Sequence, residues 1–207
     1  MAHSNKETLS IIWCDNGTTD GKFTEGLVYT LIHAPVVGVP VNNAIRVQGN
    51  QIARQRQAAI EMWQKVGTDW ALWVDSDIVI TQEMLKTLWD TADKVARPVV
   101  SGVYFISNNA GMGLVLMHKS VLKALNEKFP DDFWFGENNE KGDKFIGEDI
   151  AFFRKVRQSG IPIYAHTGVI PKHMKRFAFD DAYYNLYWGA VELAERRERE
   201  SAEEQQA

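Results

Sequence analysis

Trp70-Ala71-Leu72-Trp73-Val74-Asp75-Ser76-Asp77-Ile78-Val79-Ile80 decides how this chain is read. Five apolar residues with no polar interruption are the mark of a strand covered on both faces, as strands of parallel sheets are. The run ends on two carboxylates two residues apart, at the edge where open α/β sheets receive ligands. Charge at such an edge is costly unless a partner accompanies it. Two hard oxygen donors there suit Mg²⁺ or Mn²⁺, ions that bridge protein to phosphate oxygens. The same residues also suit a turn and a helix cap before Thr81, because Asp and Ser bond their own backbone. Taken alone, the stretch leaves both readings open.

Upstream, Leu9 to Trp13 reads as a first strand, followed by a polar turn from Asp15 to Gly21 and a helix from Phe23 to Ile32. Val36 to Val41 is a second β-branched run, after which a polar loop leads to Gly49-Asn50. Ile52, Ala59, Ile60, Trp63 and Val66 form a helical stripe over Gln51 to Val66, with Asn50 placed to cap it and Gly67 to end it. Downstream, Thr81 to Val95 reads as a helix, Pro98 to Phe105 and Gly111 to His118 as strands, and Ser120 to Leu125 as a short helix. Glu148 to Gln158 is helical and stopped by Gly160, Ile161 to Ala165 is strand-like, and Asp181 to Glu204 is one long helix. Strands and helices alternate through the first half, so the expected fold class is α/β: one domain over residues 1–190 with a mainly parallel central sheet flanked by helices, and a charged C-terminal helix end over 191–207.

Composition narrows the class. With 207 residues, 45% of them hydrophobic and 11% aromatic, the chain can bury one substantial core. No apolar run approaches a membrane span, and Met1 to Thr8 lacks the apolar centre of a signal peptide. Cys14 is the single cysteine, which excludes an internal disulfide and points to a reducing, cytoplasmic setting. The net charge of −4 is uneven: Glu192 to Ala207 carries −3, leaving the body nearly neutral. Lys172, Lys175 and Arg176 crowd around His173, a basic patch able to meet an anion or simply to solvate a turn.

Four segments in one order resemble nucleotide-sugar glycosyltransferases of the GT-A type, a Rossmann-like fold, in particular small phage and bacterial members and more loosely certain fungal mannosyltransferases. They are Gln48-Gly49-Asn50-Gln51-Ile52-Ala53-Arg54-Gln55-Arg56, the Asp75-Ser76-Asp77 stretch, Gly111-Met112-Gly113-Leu114-Val115-Leu116, and Gly147-Glu148-Asp149-Ile150-Ala151-Phe152-Phe153 with His166 and His173 beyond it. The second resembles that family's DxD motif. An Asp stands where His166 is in many relatives, and this departure leaves the role of His166 open.

The resemblance implies a nucleoside-diphosphate sugar as donor and Mn²⁺ (or Mg²⁺) as cofactor. It implies Asp77, Asp75 and His173 as metal ligands, Asp75 being shared with the ribose side of the nucleotide. Arg54, favoured over Arg56, is expected to pair with phosphate or with the two aspartates. Lys172 belongs to the same anion-binding neighbourhood. Asp149 is the expected general base and Glu148 the residue that orients the acceptor, although carboxylates also suit the start of a helix for its dipole alone. Trp13 and Asp15, ending the first strand, stand where the nucleoside base is held in this fold. Phe133-Trp134-Phe135 is either a platform for a ring or packing, and Asn108 to Gly111 and Asn138 to Gly142 read as loops over the site.

Two other readings compete. Asp75-Ser76-Asp77-Ile78-Val79 also fits the motif of haloacid dehalogenase-type phosphatases, with Asp75 as nucleophile, but that motif stands on a first strand and here about seventy residues of α/β pattern precede it. A non-catalytic protein that binds nucleotide-sugar is the second, and the C-terminal helix would suit a partner or self-association. The acceptor stays open among a modified DNA base, a protein and a glycan. The near-neutral body fits the last two better than duplex DNA.

Overall fold

The computed structural model describes residues 7–103, 111–136, 138–140, 144–175 and 181–204. In chain order the elements are β1 (Leu9–Asp15), α1 (Gly21–His33), β2 (Val41–Gln48), α2 (Ile52–Val66), β3 (Trp70–Val74), β4 (Ile78–Val79), α3 (Gln82–Thr91) and β5 (Val99–Gly102). They continue with β6 (Leu114–His118), α4 (Ser120–Lys128), β7 (Asn138–Glu140), β8 (Lys144–Ile146), α5 (Glu148–Gln158), β9 (Tyr164–His166), β10 (Lys172–His173) and α6 (Asp181–Glu204).

Six strands form the central sheet in the order β2-β1-β3-β6-β5-β9. β1 runs parallel to β2 and β3, β5 parallel to β9, and β6 alone is reversed between β3 and β5. The alternation of a strand sorts β3 onto two cores. Trp70, Leu72 and Val74 pack with Phe23, Leu27, Leu85 and Trp89 from α1 and α3, while Ala71 and Trp73 pack with Ile60 and Trp63 from α2 and Phe152 and Val156 from α5. All five β3 residues are buried, as an uninterrupted apolar run requires.

Three expectations are corrected. Residues 34–38 are turns, with Gly38 at φ 75°, and the strand is β2, in what reads as a polar loop. β2 is an edge strand, and its Asn42, Ala44, Arg46 and Gln48 face outward in alternation, so polar residues cost it little. Asn50 does not cap α2: the cap position is Gln51, which makes no side-chain cap bond. α3 also stops short of Val95, because the Asp93 carboxylate collects the Val95 and Ala96 N–H groups in a tight turn. Phe105 and residues 104–110 and 141–143 lie outside the described residues, and with them most of the two expected loops.

The chain divides into two compact units, one closing at Met174 and one opening at Lys175. The second contains α6, a 24-residue helix with Tyr184, Leu186, Tyr187, Trp188 and Leu193 exposed. No described helix is long and apolar enough to cross a membrane.

Candidate active site

Asp75, Ser76 and Asp77 form the turn between β3 and β4. The Asp75 N–H donates to the Gly113 carbonyl just before β6, and its own carbonyl accepts from Ile78. Helix α1 braces the turn from one side: the Asp20 N–H reaches the Ser76 carbonyl, and a Cβ on Gly26 would lie 2.7 Å from the Ile80 carbonyl oxygen, so only glycine allows this approach. From the other side β10 pairs antiparallel with β4, setting His173 opposite Ile78 and Lys172 opposite Val79. The Met174 N–H then donates to the Asp77 carbonyl.

This small ladder brings His173 Nε2 to 3.0 Å from Asp77 Oδ2, across 96 residues of sequence. Both side chains are part-open, 17% exposed for His173 and 36% for Asp77, so the pair faces an accessible edge rather than the core. Lys172 is exposed beside it. No three His, Cys, Asp or Glu side chains converge closely enough among the described residues to enclose a metal by themselves. The donor set nevertheless suits a hard divalent ion that is shared with a ligand: cis donors on bonds of about 2.1 Å lie about 3.0 Å apart, and carboxylate with imidazole accepts Mn²⁺.

Arg56 connects this turn to α5. It is buried on α2, with Nη2 2.9 Å from Asp75 Oδ1 and Nη1 2.6 Å from Glu148 Oε1. Burial works against its charge, but Asp75 and Glu148 outweigh that and raise its pKa. The partner of Asp75 is therefore Arg56, not the expected Arg54, which is exposed on the same helix. Arg56 is legible after all in the spacing Ile52, Arg56, Ala59, Ile60, Trp63, since it falls on the apolar stripe, whereas Arg54 is about 200° of helix rotation away from it. Glu148 and Asp149 open α5 as expected, and Asp149 Oδ1 accepts from the Ile150 N–H at 2.7 Å.

At the end of β1, Asp15 is buried and clamped by Arg46 of β2, with Nε to Oδ2 at 2.6 Å and Nη2 to Oδ1 at 2.8 Å, while the Gly17 N–H donates to the same Oδ1. The Arg46 hydrogen bonds hold the Asp15 carboxyl below the usual carboxylate range against the opposing effect of burial. Arg46, half-exposed at this edge, was hidden from sequence reasoning because β2 was. Trp13 is part-buried, its ring 6.3 Å from that of Phe23.

The remaining candidates lie in packing and in a turn. Trp134 and Phe135 are buried, and Phe135 stacks on Phe152 with centroids 4.5 Å apart, so two of the three aromatic residues are packing. His166 ends β9 and accepts from the Gly168 N–H through Nδ1 at 3.2 Å, an interaction within its own turn.

No family model and no curated protein matches this sequence. Among solved structures, the chain is similar to a glycosyltransferase involved in the glycosylation of the major capsid of PBCV-1, with 15% identity over 77% of this chain and 81% of that one and a TM-score of 0.50. It is similar to a mutant Drosophila beta-1,4-galactosyltransferase 7 in complex with manganese, UDP-Gal and xylobiose, with 14% identity over 86% and 79% of the two chains and a TM-score of 0.52. The mannosyltransferase PcManGT from Pyrobaculum calidifontis, in complex with GDP-Man and Mn²⁺, gives 11% identity and a TM-score of 0.51; the match covers 83% of this chain but only 58% of that one. At such identities the likeness is one of fold, and the α/β architecture with its mainly parallel, helix-flanked sheet is that of the GT-A glycosyltransferases.

Proposed function

We propose that this chain is a divalent-cation-dependent glycosyltransferase that moves a sugar from a UDP- or GDP-linked donor to an acceptor hydroxyl. The observation that carries the reading is the approach of His173 to Asp77, 3.0 Å apart just beyond the end of β3, where open α/β sheets receive ligands. In this reading Asp77 and His173 hold the cation, with Mn²⁺ preferred for the imidazole. Asp75 adds its second carboxylate oxygen, since Oδ1 is committed to Arg56. A bound cation would supply the Lewis acidity that neutralises charge on the departing nucleoside diphosphate.

The protein residues do the rest by position. Lys172, exposed beside His173, adds positive charge toward the diphosphate. Arg54, exposed near the start of α2, keeps only a charge contribution toward the phosphates, because Arg56 takes the pairing with Asp75. Trp13 and Asp15 flank the nucleoside base, Asp15 acting through the Arg46 guanidinium that it holds at the edge. Asp149 accepts the proton of the acceptor hydroxyl and Glu148 orients that acceptor, both from the first turn of α5. The low net charge of the body favours a protein or glycan acceptor over duplex DNA.

The test is nucleoside diphosphate release from UDP- and GDP-sugars with and without Mn²⁺. The wild type is expected to show Mn²⁺-stimulated release, and Asp77→Ala to lose about 100-fold or more, the equivalent of several kcal/mol of charge stabilisation. Equal rates in the two proteins would overturn the reading.

A further inference from the structure

Arg56 is a buried cation for which the proposed reaction has so far given no task. Its guanidinium spends one outer nitrogen on Glu148 Oε1, at 2.6 Å, and the other on Asp75 Oδ1, at 2.9 Å. One rigid plane thus ties the turn after β3 to the first residue of α5, positions 75 and 148 in the chain. The helix that carries it is fixed as well. Gln55, also buried, donates Nε2 to the Asp15 carbonyl at 2.7 Å and to the Val47 carbonyl at 3.0 Å, anchoring α2 to the ends of β1 and β2. A Cβ on Gly49 would lie 3.1 Å from Gln55 Cγ, so the chain passes close over this anchor. One and two turns further on, Ala59, Ile60 and Trp63 are buried in the core. An arginine meant for a ligand's phosphate would present its nitrogens to the open edge. Here both outer nitrogens are directed at protein carboxylates, and only 5% of the residue is exposed.

We propose that Arg56 is a positioning residue: it sets the separation between the carboxylate on the cation side, Asp75, and the carboxylate on the acceptor side, Glu148, without binding the donor. The inference rests on the donor reading above and adds to it a mechanical link between the two halves of the reaction. A lysine cannot replace it, because a point-like ammonium cannot span both carboxylates in a fixed fork. Asp77 and His173, which Arg56 does not touch, still hold the cation on substitution, so donor affinity should fall far less than turnover.

The experiment compares wild type, Arg56→Lys, Glu148→Gln and the double variant. Each is titrated calorimetrically with UDP and with GDP in Mn²⁺ and assayed for nucleoside diphosphate release. Arg56→Lys is expected to bind the nucleotide within about threefold of wild type, while kcat falls about 100-fold, the effect of a misplaced reacting group. The double variant should be no slower than the slower single one, because Glu148→Gln takes the charge from the same fork that Arg56→Lys dismantles. Nucleotide binding lost in parallel with turnover would make Arg56 a ligand-binding residue and overturn the inference. So would losses that multiply in the double variant. Should Arg56→Lys fail to fold, Arg56→Gln takes its place: nucleotide affinity kept while kcat falls supports the inference, and an unchanged kcat overturns it. A wild type that neither binds nor turns over any donor would instead overturn the donor reading itself, and the inference with it.

Discussion

Cys14 lies one residue before Asp15 on β1 and is buried in the core that α2 covers. Burial pushes its thiol up to about 12, and the attraction of Arg56 for the thiolate only partly opposes this. Since the thiolate is the reactive species, the native protein should resist a thiol reagent at pH 8 and react fully once unfolded. Rapid modification of the native chain would contradict the burial of this strand end. The two arginines of α2 show what was readable at this scale and what was not. Periodicity places Arg56 on the buried stripe and Arg54 off it, yet the family resemblance reaches Arg54 more clearly, and a buried arginine is unusual. Its partners, Asp75 and Glu148, are 19 and 92 residues away, and a helical period says nothing about what a neighbouring element brings to the same place.

At the scale of elements, β1 and β2 are joined at their C-terminal ends by the Asp15 and Arg46 clamp, next to the register pairs Trp13 with Arg46 and Asp15 with Gln48. A carboxyl with a depressed folded pKa contributes stability that is complete above its unfolded value, about 3.9, and is lost as pH falls through the lower folded value. Asp15→Asn should therefore be less stable than wild type at pH 7 by about 1–3 kcal/mol. The gap should narrow as both are acidified below about pH 4, a change that urea melts across this range would detect. A gap independent of pH would mean that the clamp contributes through packing rather than charge. The elements themselves were legible where burial is two-sided or a helix has a full stripe: β3, α2, α5 and its Gly160 stop match the residue pattern closely. β2 was not, because an edge strand tolerates polar residues on its open side and then resembles a loop.

For the whole molecule, alternating strand and helix patterns carried the architecture, since each strand buried on both faces demands helices on both sides. The reversed β6 and the sheet order are not written in local periodicity, which is the same for either direction of pairing. The pairing of β4 with β10 was equally hidden, being two short strands 96 residues apart at the His173 to Asp77 contact. That contact carries the account. It makes the end of one compact unit supply an imidazole to the carboxylates at the sheet edge, so that the candidate site exists only in the folded chain. The most direct test is Mn²⁺ affinity in the presence of UDP or GDP, read from the paramagnetic resonance of the free ion, for wild type, Asp77→Ala and His173→Ala. The wild type is expected to bind and each variant to lose at least about 100-fold, beyond the usual cost of losing an outer-shell partner; affinity unchanged in both variants would rule out a cation held by this pair.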